Sequence, residues 1–269
     1  MEASAHRKPL AVVTGASTGI GYELARVFAE NDFDLLICAE NPQLEDAARE
    51  LRSKTDVISV RADLSHAAGV QDLYGWIERT ARPVDSLVLN AGVGAGGDFA
   101  RDTELDKELG VIDLNVRSTV HLCKLVLRDM VARDEGRILF TSSVASAIPG
   151  AYQAVYNASK SFVQSFALAI RNELEDTGVT VTSLMPGPTE TEFFERADME
   201  DTRVGASDSK DDPSEVARQG FEALMAGEAK VIAGSFMNKL QASAAGRVLP
   251  DAAKAQMHRK MAEPGSARD

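Results

Sequence analysis

Tyr156 and Lys160 are the two residues whose types and spacing most directly suggest chemistry. Positions four apart share one face of a helix, so the phenol and the ammonium project together. A nearby cation favours the phenolate, and moving a phenol pKa from about 10 toward neutrality takes about 4 kcal/mol of differential stabilisation. Such a tyrosine could donate a proton to a carbonyl oxygen or accept one from a hydroxyl. A preceding serine, Ser142 or Ser143, could bind the same oxygen. The spacing also fits an ordinary pair on a helix surface.

A glycine-rich turn, Gly15 to Gly21, separates the first apolar run from the first amphipathic one. Glycine permits a tight turn and a close approach of the backbone to a ligand. The free N–H groups and partial positive charge at the start of the next helix favour a diphosphate. Glu40 lies 19 positions after Gly21, which is the expected spacing for a carboxylate that receives ribose hydroxyls. Together these features predict a dinucleotide site.

The same turn contains Gly15-Ala16-Ser17-Thr18-Gly19, a formal match to the nucleophile elbow of serine hydrolases. A hydrolase would need an acid and a histidine downstream. The available histidines, His66, His121 and His258, each fall in a predicted helix rather than on a loop at a sheet edge. A serine hydrolase is therefore the less favoured alternative.

The elements that must position these residues alternate between short apolar runs and longer amphipathic ones. The predicted strands are 10–14, 34–40, 57–60, 86–89, 137–141, 179–184 and 230–233, and the predicted helices are 19–30, 42–53, 66–80, 104–132, 155–175 and 213–225. Continuous apolar runs are typical of parallel strands covered on both faces, and the repeated units imply right-handed crossovers. The sequence predicts a doubly wound, mostly parallel α/β sheet of seven strands with helices on both faces.

One domain is predicted for residues 1–269, with a core of about 9–235 and a C-terminal helical extension of about 236–262. Residues 263–269 are predicted to fray. Residues 195–215 carry eight acidic and three basic side chains, which fits either a solvated loop or a mobile lid. Trp76 is interpreted as a core anchor.

Composition narrows the class of protein. A chain that is 44% hydrophobic can bury a sizeable core, and a net charge of −12 repels nucleic acid and anionic lipid. Cys38 and Cys123 fit two free thiols in a reducing compartment, and no spacing suggests a metal site. The sequence shows no signal segment and no apolar run long enough for a membrane span. We therefore expect a cytoplasmic, enzyme-sized protein.

Over about residues 9–235 the motifs together resemble the short-chain dehydrogenase/reductase family of the single-domain type. The turn that begins at Thr14 matches its Thr-Gly-x-x-x-Gly-x-Gly fingerprint, and Asn90-Ala91-Gly92 matches its Asn-Ala-Gly motif. The segment from Pro186 to Thr191 is similar to its Pro-Gly segment, whose threonines bind the nicotinamide carboxamide. Asp63 resembles the residue that contacts the adenine ring.

The resemblance implies an NAD(P)-dependent Rossmann-like oxidoreductase that moves a hydride between an alcohol and a ketone. Tyr156 would be the general acid/base, and Ser143, 13 residues before it, would position the substrate oxygen. Lys160 would bind the nicotinamide ribose and lower the tyrosine pKa, and Asn115 would hold a water in the proton relay. Ser142 would not face the substrate. The implied cofactor-binding residues are Gly15, Ser17, Gly19, Ile20, Gly21, Glu40, Asp63, Leu64, Asn90, Ala91, Gly92, Tyr156, Lys160, Pro186, Gly187, Thr189 and Thr191.

Charge near the end of the second strand favours NAD over NADP. Family members that use NADP usually carry an arginine there or a basic residue in the glycine turn, whereas this chain has Ala39, Glu40 and Thr18. A carboxylate would repel a 2′-phosphate, so we predict NAD, with NADP possible.

The predicted substrate pocket is apolar and indicates a hydrophobic alcohol or ketone. Its predicted lining is Val93, Ala147, Ile148, Ala151, Tyr152, Phe193 and Phe194. The resemblance implies a homodimer, because the long helices 104–132 and 155–175 would provide the family's usual dimer face. Acyl-carrier-protein reductases of the family have a Gly-Gly strand at their tetramer interface, whereas this chain has a helical segment there, so the tetramer stays open. A dinucleotide-sensing module with vestigial chemistry is the second interpretation of the whole sequence.

Overall fold

The computed structural model describes residues 7–234 and 250–268. Seven strands form its central sheet: β1 Leu10–Thr14, β2 Asp34–Ala39, β3 Val57–Arg61, β4 Ser86–Leu89, β5 Gly136–Thr141, β6 Val179–Pro186 and β7 Lys230–Ala233. Their order is β3-β2-β1-β4-β5-β6-β7, and every pairing is parallel. The predicted Rossmann-like sheet is confirmed.

Nine α-helices lie within the described residues: α1 Gly19–Glu30, α2 Gln43–Leu51, α3 Ala67–Arg79, α4 Leu105–Ile112, α5 Ser118–Ala132, α6 Ala154–Glu173, α7 Phe193–Arg196, α8 Pro213–Met225 and α9 Asp251–Ala262. The predicted C-terminal helical extension is present as α9, and residues 236–249 of that prediction lie outside the described residues. None of the described helices is long and apolar enough to cross a bilayer.

Alternate residues of the buried strands supply two separate cores. In β1, Leu10 and Val12 pack in one hydrophobic cluster with α3, α5 and α6, whereas Ala11 and Val13 pack in the other with α1 and α8. Apolar residues at every strand position are therefore required, because both faces of the sheet are covered. The chain reverses its winding between β1 and β4, and a doubly wound sheet has its binding crevice at this reversal.

The predicted single helix over 104–132 is interrupted. A π-helical turn, Asp113–Arg117, joins α4 to α5 and holds Asn115, whose side chain is only 1% exposed. A π-turn inserts one extra residue into the helix, and such turns are frequent at functional sites. Periodicity could not reveal the turn, because the apolar spacing on either side of it remains helical.

Two predictions about the surface are wrong. Trp76 is 43% exposed, because Leu73 and Ile77 take the buried face of α3 and leave the indole at the edge beneath the Arg79 guanidinium. Residues 263–268 do not fray. Gly265 N donates to the Asp201 carboxylate at 2.8 Å and Ala267 N donates to the Asp201 carbonyl at 3.0 Å.

Candidate active site

A cavity of about 290 Å³ opens at the carboxyl ends of the strands. Its wall includes residues that follow β1, β2, β3, β4, β5 and β6, as expected for a parallel sheet whose strands all end at one edge. Every residue that the sequence resemblance implies for dinucleotide binding lines this cavity. Such proximity is what a shared binding site requires.

The glycine turn is shaped by two distinct constraints. Gly15 has φ +66°, a left-handed conformation that residues with a Cβ rarely adopt. A Cβ on Gly21 would lie 2.0 Å from the Gly15 carbonyl oxygen and 2.4 Å from Asn90 Nδ2, so no side chain fits there. Glycine at both positions therefore allows the turn to pack closely on itself and on Asn90.

Asn90 and Thr14 buttress this turn from within. Asn90 Nδ2 donates to the carbonyls of Thr14 and Gly15 at 3.1 and 3.3 Å. Thr14 Oγ1 accepts from the backbone N–H groups of Asn90 and Ala91 at 3.0 and 3.1 Å. Asn90 therefore stabilises the turn. Thr14 stabilises it as well, a role that the sequence analysis did not predict.

The start of α1 suits an anion. Thr18 makes no side-chain cap hydrogen bond to this helix, and the first turn of the helix contains no acidic residue. The first N–H groups of a helix lack intrahelical partners and carry partial positive charge. These features fit a dinucleotide diphosphate.

Glu40 and Asp63 line the far end of the cavity. Glu40 is exposed, and its carbonyl accepts a 3.0 Å hydrogen bond from Arg61 Nε. Asp63 accepts hydrogen bonds from the hydroxyl and the backbone N–H of Ser65 at 2.6 and 2.9 Å, and these bonds lower the pKa of its carboxyl group. Both carboxylates are therefore available to a polar ligand at this end.

Tyr156, Ser143 and Lys160 meet at the other end. All three are buried and line the cavity. Burial raises the pKa of Tyr156 to about 12, and a hydrogen bond with Ser143 opposes this rise. Burial lowers the pKa of Lys160 to about 8. Burial therefore dominates the pKa of Tyr156, and the expected lowering does not occur in the chain by itself.

Lys160 is close to the phenol but is held by the backbone. Its Nζ lies 5.9 Å from the Tyr156 ring centroid and donates to the Thr141 carbonyl at 2.9 Å. Ser142 donates its hydroxyl to the Lys160 carbonyl at 3.0 Å, which fixes α6 against the end of β5. Of the two adjacent serines, Ser143 interacts with Tyr156.

Asn115 lies behind the cavity wall, and its side chain ties two elements together. Its Oδ1 accepts from Val93 N, and its Nδ2 donates to the Val93 carbonyl and to Ser159 Oγ, each at 2.9 Å. A Cβ on Gly92 would lie 3.1 Å from Asn115 Oδ1 and 3.3 Å from Lys160 Nζ. The amide and the ammonium therefore flank the same glycine.

The substrate half of the cavity is largely apolar. As predicted, its lining includes Val93, Ile148, Phe193 and Phe194. The ring centroids of Phe193 and Tyr156 are 5.1 Å apart. Three predicted lining residues, Ala147, Ala151 and Tyr152, lie outside the wall, because Ala147 faces solvent and the Tyr152 hydroxyl bonds to Glu263 and Arg259. The wall residues that sequence reasoning missed include Leu114, Val144, Ala145, Gln153, Glu192, Arg196, Val204, His258, Met261 and Ala262.

Residues 195–206 form part of this wall. Ala197, Met199 and Thr202 are buried, Gly96 N donates to the Ala197 carbonyl at 2.8 Å, and Val204 N donates to the Met261 carbonyl at 3.1 Å. The segment is packed against the cavity and α9, which a purely solvated loop would not be. Its movement as a lid stays a prediction.

The hydrolase alternative requires a base near Ser17. His121 contacts Gln71 at 2.9 Å, His66 lies 3.6 Å from the Asp63 carboxylate, and His258 contacts the Ala151 carbonyl at 2.9 Å. Within residues 7–234 and 250–268, no histidine hydrogen-bonds to Ser17, and no cluster of His, Cys, Asp or Glu could hold a metal ion.

Comparison with known proteins identifies the family. Residues 9–202 match the family model described as short chain dehydrogenase. The chain is a short-chain dehydrogenase/reductase. Sulfoacetaldehyde reductase 2 of Chromohalobacter salexigens is 33% identical over 186 residues, which are 68% of this chain and 74% of that protein.

Two solved structures of this family extend the likeness. A short-chain dehydrogenase from Sphingobium yanoikuyae in complex with NADPH is 27% identical, with a TM-score of 0.77 over 83% of this chain and 87% of that chain. A short-chain dehydrogenase/reductase from Burkholderia phymatum in complex with NAD is 25% identical, with a TM-score of 0.79 over 90% and 92%. This short-chain dehydrogenase/reductase is therefore an oxidoreductase of CH–OH and C=O groups that uses a nicotinamide dinucleotide.

Proposed function

We propose that this enzyme interconverts a hydrophobic secondary alcohol and its ketone, with Tyr156 as the general acid/base. The observation that carries this proposal is the meeting of Tyr156, Ser143 and Lys160 in the cavity that the dinucleotide motifs also line. A dinucleotide-sensing module would not need a buried phenol beside a buried ammonium. The presence of all three residues in the cavity therefore favours an active enzyme.

In this proposal different cofactor-binding residues would contact different parts of the dinucleotide. The turn from Gly15 to Gly21 and the start of α1 hold the diphosphate, while Glu40 receives the adenosine ribose and Asp63 the adenine. Thr189 and Thr191 bind the carboxamide, and Lys160 binds the nicotinamide ribose. When bound, the dinucleotide supplies or accepts a hydride at C4 of the nicotinamide, and its oxidised ring adds positive charge beside the phenol.

The proton moves through Tyr156. Because burial raises its pKa to about 12, the phenol is protonated at neutral pH and ready to donate to a carbonyl oxygen. Ser143 donates a hydrogen bond to the same oxygen and orients it. In reduction the carbonyl carbon gains the hydride and the oxygen gains the tyrosine proton, which solvent then replaces. Oxidation requires the phenolate, which positive charge nearby favours.

Lys160 and Asn115 support this transfer in different ways. Lys160 Nζ has three donors and uses one on the Thr141 carbonyl, so two are available for ribose hydroxyls or a water. Asn115 is best described as a positioning residue, because its amide fixes Val93 and Ser159. The second lone pair of its Oδ1 could still hold the relay water.

The charge of Glu40 supports NAD as the preferred cofactor. Its exposed carboxylate lines the cavity, and the nearby Arg61 guanidinium donates to the Glu40 carbonyl. The preference is measured as kcat/KM with NADH divided by kcat/KM with NADPH. We expect Glu40→Arg to shift this ratio about 100-fold toward NADPH, because a repulsive charge becomes an attractive one.

Asp46→Arg is the matched control, since it makes the same charge change at an exposed position of α2. It should leave the cofactor ratio near that of the wild type. A wild-type enzyme with a much higher kcat/KM for NADPH than for NADH would contradict the assignment.

The apolar lining by Val93, Ile148 and Phe193 supports a hydrophobic substrate. The test follows the absorbance of the reduced nicotinamide across a panel of alcohols and ketones with both dinucleotides. We expect turnover to rise with the apolar area of the substrate. Turnover limited to strongly anionic substrates would contradict this proposal.

A homodimer is supported by an apolar stripe that the other described residues leave exposed. Leu105, Leu109 and Ile112 of α4 are 66%, 45% and 41% exposed, and Phe162 and Leu168 of α6 are also exposed. Burying such a stripe against a second copy would remove apolar surface from water. We expect a dimer in light scattering, and a monomer for Leu109→Glu. A monomeric wild type would contradict this.

A further inference from the structure

The helix α9 brings a histidine to the apolar half of the cavity. His258 lines the cavity and is 5% exposed. Two neighbours in the chain anchor this part of the helix: the Met261 carbonyl accepts from Val204 N at 3.1 Å, and Arg259 donates to the Tyr152 hydroxyl at 2.6 Å. His258 is therefore a fixed part of the wall.

The contacts of the ring define which nitrogen carries the proton. His258 Nδ1 lies 2.9 Å from the Ala151 carbonyl oxygen. A carbonyl only accepts, so Nδ1 must be the protonated, donating nitrogen. Burial lowers the pKa of His258, which keeps the ring neutral at neutral pH. Nε2 therefore carries a free lone pair and acts as an acceptor.

This acceptor has no partner within the described part of the chain. A donor of a ligand in the cavity that His258 lines can therefore satisfy it. Among its neighbours in the wall, Met261, Ala262 and Phe194 offer apolar side chains. Gln153 is another buried polar side chain of the wall, and it is close in sequence to Ala151.

We propose that Nε2 of His258 accepts a hydrogen bond from a hydroxyl group of the substrate, remote from the reacting carbon. A neutral acceptor selects a hydrogen-bond donor and disfavours a carboxylate, whose oxygens would face its lone pair. The substrate class is then a hydrophobic hydroxy-ketone or the corresponding diol. This inference rests on the proposed function, since Tyr156 must act at the other end of the same molecule.

The test uses paired probes: 2-alkanones that carry a terminal hydroxyl, and 2-alkanones in which a methyl replaces that hydroxyl, over a series of chain lengths. For each length, the selectivity ratio is kcat/KM for the hydroxylated ketone divided by kcat/KM for its methyl partner. A ratio within one enzyme preparation does not depend on the fraction that is folded.

The variants are His258→Leu, His258→Gln, Gln153→Leu and, as the matched control, Lys260→Ala at an exposed position of α9. At the chain length that spans the cavity, His258→Leu should lower the selectivity ratio about 5- to 10-fold, the value of one neutral hydrogen bond. His258→Gln should restore part of it, because its amide can donate to Ala151 and accept from the hydroxyl. Lys260→Ala and Gln153→Leu should keep the wild-type ratio.

Three results would overturn the inference. An unchanged ratio in His258→Leu at every chain length, with normal turnover of the methyl ketones, overturns the histidine contact alone. A fall of the ratio in Gln153→Leu instead of His258→Leu assigns the hydroxyl to the other residue. If the wild type turns over no probe with either dinucleotide, the proposed function fails and this inference fails with it.

Discussion

The two halves of the cavity are built in different ways. The dinucleotide half uses residues that directly follow strands, such as Gly15, Glu40 and Asn90, and much of its geometry belongs to the backbone. The substrate half uses side chains from distant segments, among them Phe193 and His258. Local sequence thus determines the first half, whereas the second depends on how remote segments pack.

The halves also differ in what burial does to charge. Glu40 is an exposed carboxylate, whereas Lys160 is a buried ammonium whose pKa falls to about 8. A buried charge destabilises the folded chain relative to an apolar residue, so residues of this kind are retained at sites of function. Variants whose effects on catalysis, stability and cofactor binding are measured separately therefore test this difference between the two halves of the cavity.

A large effect is expected for Lys160→Met. We expect kcat/KM to fall about 1000-fold, because the phenol loses the cation that supports its proton transfer. The loss is measured from the absorbance of the reduced nicotinamide under saturating dinucleotide. A variant within a few-fold of the wild type would remove Lys160 from the mechanism.

The same variant tests the buried charge through stability. The pKa of Lys160 is about 8 in the folded chain against 10.5 when unfolded, so between these values the unfolded chain binds more protons. The contribution of Lys160 to wild-type stability should therefore rise with pH across this window, whereas below it both states are protonated and the full penalty applies. The difference in Tm between Lys160→Met and the wild type should shrink from pH 8 to pH 10.5. A pH-independent difference would contradict the buried ammonium.

A smaller effect is expected for Ser143→Ala. Removing one donor to the reacting oxygen should lower kcat/KM about 100-fold while the Kd of the dinucleotide stays unchanged. Ser142→Ala is the natural control, because its hydroxyl binds the Lys160 carbonyl instead. Equal losses of kcat/KM in the two variants would argue against a specific role for Ser143.

The smallest effect on activity is expected for Arg259→Ala, which should loosen the part of the cavity wall that α9 forms. The guanidinium lies 5.0 Å from the Tyr152 ring centroid and bonds to its hydroxyl and to Glu263. Because the group is largely exposed, KM should rise only about 2- to 5-fold, with kcat and the dinucleotide Kd unchanged. A weaker dinucleotide Kd would show that the halves are coupled.

Much of the fold could be predicted from the sequence. The seven predicted strands lie close to the observed ones, since a parallel sheet covered on both faces needs unbroken apolar runs such as Leu10–Thr14. The residues implied for the dinucleotide also meet at one cavity. Their spacing is set by strand ends, so a local motif carries three-dimensional information.

What could not be predicted depends on tertiary contacts. The π-turn at Asn115 leaves the helical periodicity intact, and Trp76 is exposed because its neighbours on α3 take the core face. His258 reaches the cavity only through the packing of α9 against Val204 and Ala151. No spacing in the sequence encodes that packing.

The central residue of the proposed mechanism is Tyr156, the group that moves the proton. The direct measurement compares the wild type with Tyr156→Phe, combining turnover of a hydrophobic ketone with dinucleotide binding by calorimetry. We predict a loss of kcat/KM of about 1000-fold or more with a Kd for the dinucleotide within about twofold of the wild type. Retained turnover in Tyr156→Phe, or no binding of either dinucleotide by the wild type, would contradict the proposed mechanism.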